Sequence, residues 1–270
     1  MPTVHVNGID IYYEIHGSGE PLVMIAGLGY DIWVWHKMLP GLAEKNQVII
    51  FDNRGVGKTD DPPGPYTADM MADDTVELIK ALGFDKAAIL GHSMGGFIAQ
   101  SLILAYPQMV NKLILASTDF GGPNHIHMPA ETLAILTDTK MDLMERSKWG
   151  IKISTSHGFY EANPEFVQEW IDYIISRPMT PEALQAQMAI GLRLYAVSVE
   201  DSYELKLKQI EVPTLILSGD DDKLVPPGNA DLLAREIPIS QLEIIPDSGH
   251  FFPFDKPDAA VEIINRFLHG

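Results

Sequence analysis

Between positions 88 and 99 the chain reads Ala-Ile-Leu-Gly-His-Ser-Met-Gly-Gly-Phe-Ile-Ala: an apolar run, a glycine-flanked serine, then a second apolar run. Gly91-x-Ser93-x-Gly95 fits a buried strand turning sharply into a helix, with the serine at the bend. So sharp a bend strains the serine backbone, and side chains two residues to either side would collide, which accounts for the glycines. The turn lifts the Ser93 hydroxyl clear of the sheet and sets it at the amino end of a helix. Backbone N–H groups and the helix dipole there favour a developing negative charge. A Gly-Ser-Gly turn without chemistry is the alternative; the strand before and helix after weigh against it.

The rest of the chain follows an α/β rhythm. Residues 4–16 alternate at period two around Asn7-Gly8, the signature of a β-hairpin. Continuous apolar runs at 21–26, 48–51, 87–90 and 112–116 read as strands buried on both faces. Helical spacing lies between them, at about 32–42, 66–82 (stopped by Gly83) and 97–106 (closed by Pro107). This alternation predicts a parallel, doubly wound sheet with an antiparallel hairpin at its N-terminal edge. From about Asp119 to Leu207 no strand pattern occurs. Amphipathic stretches run instead over 129–148, 164–176 and 181–197, each opened by a proline. Strand patterns return at 213–217 and 241–245, and a closing helix spans about 259–268. The expected organisation is one core domain, 1–118 with 208–270, carrying a helical insertion over 119–207.

Composition narrows the function classes. Nineteen basic against 37 acidic residues give a net charge of −18, which repels nucleic acid and anionic membranes. The absence of cysteine removes disulfides, thiolate metal sites and a cysteine nucleophile. No apolar run is long enough to span a bilayer, and the first residues lack a basic region followed by an apolar run. A cytoplasmic protein acting on a small molecule is the expectation, with a homodimer left open.

A serine hydroxyl needs a general base, and that base needs an orienting carboxylate. In an open α/β sheet such groups stand just past the carboxyl ends of strands. The run 215–217 leads into Asp220-Asp221-Asp222, and 242–245 leads into Ser248-Gly249-His250. The chain order serine, aspartate, histidine is that of an α/β-hydrolase triad. Over essentially its whole length the chain resembles the α/β-hydrolase-fold family. The resemblance rests on the Gly-His-Ser-Met-Gly-Gly elbow, the loop Asp52-Asn53-Arg54-Gly55-x-Gly57-x-Thr59, the turn Gly219-x-x-Asp222-x-x-x-Pro226 and the Ser-Gly-His turn. It implies a mostly parallel eight-stranded sheet with helices on both faces and an inserted helical cap. It also implies Ser93 as nucleophile, His250 as base and Asp222 as acid, with Asp119 a second candidate because some relatives carry the acid there. Leu28 and Met94 would supply oxyanion-hole N–H groups, and no cofactor would be required. Many relatives have His-Gly where this chain has Ala26-Gly27, which alters loop packing while leaving main-chain donors intact.

Other signals carry less. Gly57-Lys58-Thr59 lacks the earlier glycine of a phosphate-binding loop. The three consecutive aspartates lack calcium-loop spacing. His125-x-His127 has no visible third ligand and reads as a solvated loop, and His92 reads as packing. Arg54 and Asp52 are expected to pair and hold a loop near the elbow. The insertion carries Met128, Met141, Met144, Trp149, Phe159, Tyr160, Trp170, Met179, Met188 and Tyr195 but few cations, among them Lys140, Arg146, Lys148, Lys152, Arg177 and Arg193. Most of the apolar set should pack as core, and the cap that the resemblance implies would turn a minority toward Ser93. That pattern favours a small, mostly uncharged carboxylic ester. Serine at 93 argues against the aspartate-nucleophile branches of the fold. Enol-lactonase, carbon–carbon-bond hydrolase and perhydrolase activity, or a slow-turnover ligand receptor, remain alternatives.

Overall fold

The computed structural model describes residues 2–136, 138 and 140–270. Its strands are β1 (Thr3–Val6), β2 (Ile9–His16), β3 (Glu20–Ile25), β4 (Asn46–Phe51), β5 (Ala87–His92), β6 (Val110–Ala116), β7 (Thr214–Gly219) and β8 (Ser240–Ile245). They form one eight-stranded sheet in the order β1-β2-β4-β3-β5-β6-β7-β8. The Asn7-Gly8 turn forms with both residues at positive φ, 49° and 76°, and joins β1 to β2 antiparallel. β2 also runs antiparallel to β4; the remaining pairs are parallel.

Helices follow as α1 (Leu39–Ala43), α2 (Ala68–Ala81), α3 (Met94–Ala105), α4 (Ala130–Leu136), α5 (Leu143–Ser154), α6 (Phe159–Ala162), α7 (Pro164–Ser176), α8 (Pro181–Tyr195), α9 (Gly228–Glu236), α10 (Phe252–Asp255) and α11 (Pro257–His269). Alternation along the central strands divides the core in two. Val23, Ile25, Ile89 and Leu115 pack with α2, α3 and α9, whereas Leu22, Met24, Leu90 and Leu217 pack with α1 and α11. The chain runs from β3 out to β4 and then back across to β5. The carboxyl ends of β3 and β5 therefore flank the switch point where open α/β sheets bind ligands.

Helices α4 to α8 lie between β6 and β7 in the chain, where the strand pattern lapses. The stretch expected as a single helix over 129–148 divides into α4 and α5. Asp142 caps α5 by accepting the Glu145 N–H at 2.8 Å, the start of an Asp-x-x-Glu capping sequence. Thr137 and Thr139, inside that expected helix, and Met1 lie outside the described residues. The expected helix at 32–42 is a short 3-10 turn, Ile32–Trp35, capped by Asp31 and followed by α1. No helix among the described residues is long and apolar enough to cross a membrane.

The expected Arg54–Asp52 pair does not form. Arg54 makes a two-pronged bond to Asp74 of α2 instead, Nε to Oδ2 at 2.8 Å and Nη2 to Oδ1 at 2.7 Å, with both side chains buried. Asp52 accepts the N–H groups of Ile32 and Lys58, and burial pushes its pKa up to about 6. Helical sequence offers many acids, and only tertiary packing selects Asp74. Because Arg54→Met leaves the buried Asp74 carboxylate without its cation and with only the Asn7 amide as donor, it should lower stability by about 3–5 kcal/mol. Urea unfolding measures this, and a loss below about 1 kcal/mol would show that the pair adds nothing.

Candidate active site

Ser93 stands between β5 and α3 with φ 56° and ψ −120°, the strained bend expected from its glycine neighbours. Close approach explains those glycines. A Cβ on Gly91 would lie 2.2 Å from the Gly95 carbonyl oxygen, and one on Gly95 would lie 2.2 Å from that of Ile25. The Ser93 carbonyl accepts the Gly96 N–H at 2.8 Å and the Thr118 hydroxyl at 2.9 Å, which locks the bend through the main chain.

Past β7, each of the three neighbouring aspartates has its own task. Asp220 Oδ1 accepts the Ser248 N–H and Asp221 Oδ2 accepts the His157 N–H. Asp222 Oδ1 accepts two N–H groups, from Leu224 at 2.9 Å and Val225 at 2.8 Å, while its Oδ2 accepts from His250 Nδ1 at 2.9 Å. Asp222 and His250 are both buried. A carboxylate held in this way fixes the imidazole tautomer with Nε2 free to take a proton.

His92 brings the serine and histidine segments together. Buried beside Ser93, it donates from Nε2 to the His250 carbonyl at 2.9 Å, and the two imidazole rings lie 4.9 Å apart. No hydrogen bond joins the Ser93 hydroxyl to His250 among the described residues; bonds of this kind often tighten only around substrate. Burial, reinforced by His250, pushes the His92 pKa down from 6.5 to about 3. Stability that depends on neutral His92 is therefore complete above pH 6.5 and is lost as pH falls toward the folded value. Between pH 6.5 and 4.5 the loss is at most about 3 kcal/mol. Asp52 and Asp255, both raised by burial to about 6, act in the opposite sense below that pH. His92→Gln should accordingly lose less stability than the parent chain between pH 6.5 and 4.5 in urea melts. Equal losses would show that His92 does not titrate with folding.

The loop after β3 lies against the elbow. A Cβ on Gly27 would sit 3.1 Å from that of Ser93, which places Leu28 one residue from the contact. The Gly29 N–H donates to Gln187 of α8 at 3.0 Å, and Gln187 Nε2 in turn donates to the Arg54 carbonyl. Met94 is the first residue of α3, where a helix leaves N–H groups without intrahelical partners.

Asp119 lies elsewhere in the site. Its Oδ1 accepts the Gly121 N–H at 2.6 Å and its Oδ2 accepts the Tyr195 hydroxyl at 3.1 Å, with burial raising its pKa. His250 turns to Asp222 instead. Nor is His125 in a solvated loop: it is buried, held on the Gly122 carbonyl and stacked on Tyr195 at 4.4 Å. No group of three or more metal-binding side chains occurs among the described residues. Of the insertion's large apolar side chains, Trp170 is buried against Phe251 and Phe254, while Met144, Trp149, Met188 and Tyr195 remain exposed.

An alpha/beta hydrolase fold model matches residues 20–145 and 159–257. The chain belongs to the α/β-hydrolase-fold family. Over 99% of its length it is 29% identical to the "Putative carbamate hydrolase RutD" of Azorhizobium caulinodans, covering 98% of that protein. Est816, described as an N-acyl homoserine lactone degrading enzyme, superposes with a TM-score of 0.82 at 30% identity, over 98% of this chain and 100% of that one. A thermophilic esterase from Thermogutta terrifontis gives a TM-score of 0.80 at 27% identity, over 98% and 96% of the two chains. These matches make this α/β-hydrolase-fold member a hydrolase, and they differ in the bond cleaved. Gln187 and Asp74 went unnoticed in the sequence because each acts through a contact that no local motif signals.

Proposed function

We propose that the protein cleaves a small, mostly uncharged carboxylic ester by acyl transfer. Ser93 attacks the carbonyl carbon while His250 Nε2 takes its proton, and Asp222 orients the imidazole and stabilises its cationic form. The N–H groups of Leu28 and Met94 receive the tetrahedral oxyanion. The C–O bond then breaks and His250 returns the proton to the departing alcohol. Water, deprotonated by His250, attacks the acyl-serine; collapse releases the acid and restores the Ser93 hydroxyl.

The observation that carries this reading is the 2.9 Å Asp222–His250 bond at the turn His92 holds beside the strained Ser93. The preference for an uncharged substrate rests on apolar exposure, from Leu28, Met188 and Leu192, and on the insertion's few cations, two of which are already paired. Lys152 pairs with Glu161 and Arg177 with Asp31. The test is turnover of p-nitrophenyl acetate and butyrate together with labelling of Ser93 by a fluorophosphonate. Sustained turnover is expected. A single slow acyl burst would point to a ligand receptor, and a preference for dicarboxylate esters would overturn the substrate class.

A lactone is a second reading, favoured by the match to Est816 along the full chain. The same carbonyl attack opens the ring. It would be preferred over the ester reading if kcat/KM for an N-acyl homoserine lactone exceeded that for p-nitrophenyl butyrate by about tenfold, a difference of about 1.4 kcal/mol in transition-state stabilisation.

A further inference from the structure

The backbone around His250 is held at three consecutive residues by three different parts of the chain. The Gly249 N–H donates to Asp255 Oδ2 at 2.6 Å, the His250 carbonyl accepts from His92, and the Phe251 N–H donates to the Ser154 carbonyl at 2.9 Å. The same Asp255 oxygen accepts the Ser156 N–H at 2.9 Å. One residue further on, the His157 N–H reaches Asp221 Oδ2, beside the triad acid Asp222. Residues 154–157, where α5 ends inside the insertion, thus bond to both the histidine turn and the acid turn. Gly249 is small for this reason: a Cβ there would lie 2.6 Å from the Thr155 carbonyl carbon and 2.7 Å from the Ser154 oxygen.

From this geometry we infer that segment 154–157 is a clasp that sets the alignment of His250 with Asp222, and that Asp255 is its positioning residue. The insertion then bears on the site directly, because α5 ends on the turn that carries His250. Asp255 bonds the main chain of Gly249 and Ser156 and not the imidazole. It acts through Gly249, and without its oxygen both Gly249 and Ser156 lose their acceptor and the turn is freed on one side. The inference rests on the proposed role of His250, while the alignment it describes is measurable without any substrate.

The test uses the full chain with Asp255→Ala, Asp255→Asn and Gly249→Ala. Two quantities are read: kcat and KM on p-nitrophenyl acetate, and the downfield proton NMR signal of the His250 Nδ1–H held by Asp222. Asp255→Ala should lower kcat by about 10–100-fold with KM changed less than about twofold, since small misplacements of a catalytic group cost rate more than binding. Its His250 signal should broaden by exchange with water. Asp255→Asn keeps an oxygen able to accept both N–H groups and should recover most of both readouts. A folded Asp255→Ala with parental kcat and an undisturbed signal would overturn the inference, as would an Asn variant no better than Ala. If Asp255→Ala does not fold, Gly249→Ala decides, because it leaves Asp255 in place and pushes the clasp away from the turn. The same kinetic loss and broadening support the clasp, and parental values refute it. Should the parent chain turn over no ester while Asp255→Ala still broadens the signal, the ester reading fails and the clasp stands.

Discussion

Ser93→Ala is expected to cut turnover of p-nitrophenyl acetate by about 10⁴–10⁶-fold, equivalent to about 5–8 kcal/mol of transition-state stabilisation. The substitution removes the only atom that can form the acyl intermediate in the proposed mechanism. It leaves the N–H groups of Leu28 and Met94 in place, so a residual rate above that of water alone should persist. Folding should survive, because the bonds that lock the bend come from the Ser93 main chain, whose carbonyl receives Gly96 and Thr118. Alanine meets the same φ of 56° with no greater strain than serine. Loss of turnover with the melting temperature within a few degrees of the parent, and with fluorophosphonate labelling abolished, is the expected pattern. A variant that kept a tenth of the activity would place the nucleophile elsewhere.

The elbow was legible because its chemistry is local. Gly91, Ser93 and Gly95 are dictated by one turn, and the strand and helix around it are apolar runs of different period. The eight-strand pattern was legible for the same reason, each buried strand announcing itself without its neighbours. Partnerships across the chain were harder. Arg54 stands two residues from Asp52 in sequence, yet it bonds Asp74 because α2 brings that carboxylate onto its guanidinium. The break between α4 and α5 is marked by Asp142 and Glu145, a capping signal outweighed in the sequence reading by the apolar spacing on either side. His125 was read as solvated because no third ligand accompanies His125-x-His127; it is buried against Tyr195, seventy residues further along the chain. What sequence hid was the insertion's attachment to the histidine turn through Ser154, to Asp255 through Ser156 and to the acid turn through His157.

Asp222→Asn should lower kcat by about 10⁴-fold, and the reason lies in which oxygen of Asp222 does what. Its Oδ1 accepts both the Leu224 and Val225 N–H groups, so an asparagine keeps those bonds only by placing its carbonyl oxygen there. The amide NH₂ is then turned toward His250 Nδ1. Facing a donor, Nδ1 must act as acceptor, and the imidazole proton moves to Nε2, where it blocks uptake of the proton from Ser93. The variant should therefore fold, bind substrate and fail at the chemical step. Asp119→Asn provides the contrast. Its carbonyl oxygen can keep the Gly121 N–H, and its NH₂ can donate to the Tyr195 hydroxyl, which accepts as readily as it donates. Activity within about threefold of the parent is expected there, because no triad tautomer changes and a satisfied polar swap costs little. Steady-state kinetics on the two variants separates the candidates: a collapse in Asp119→Asn with Asp222→Asn unharmed would move the acid to the end of β6.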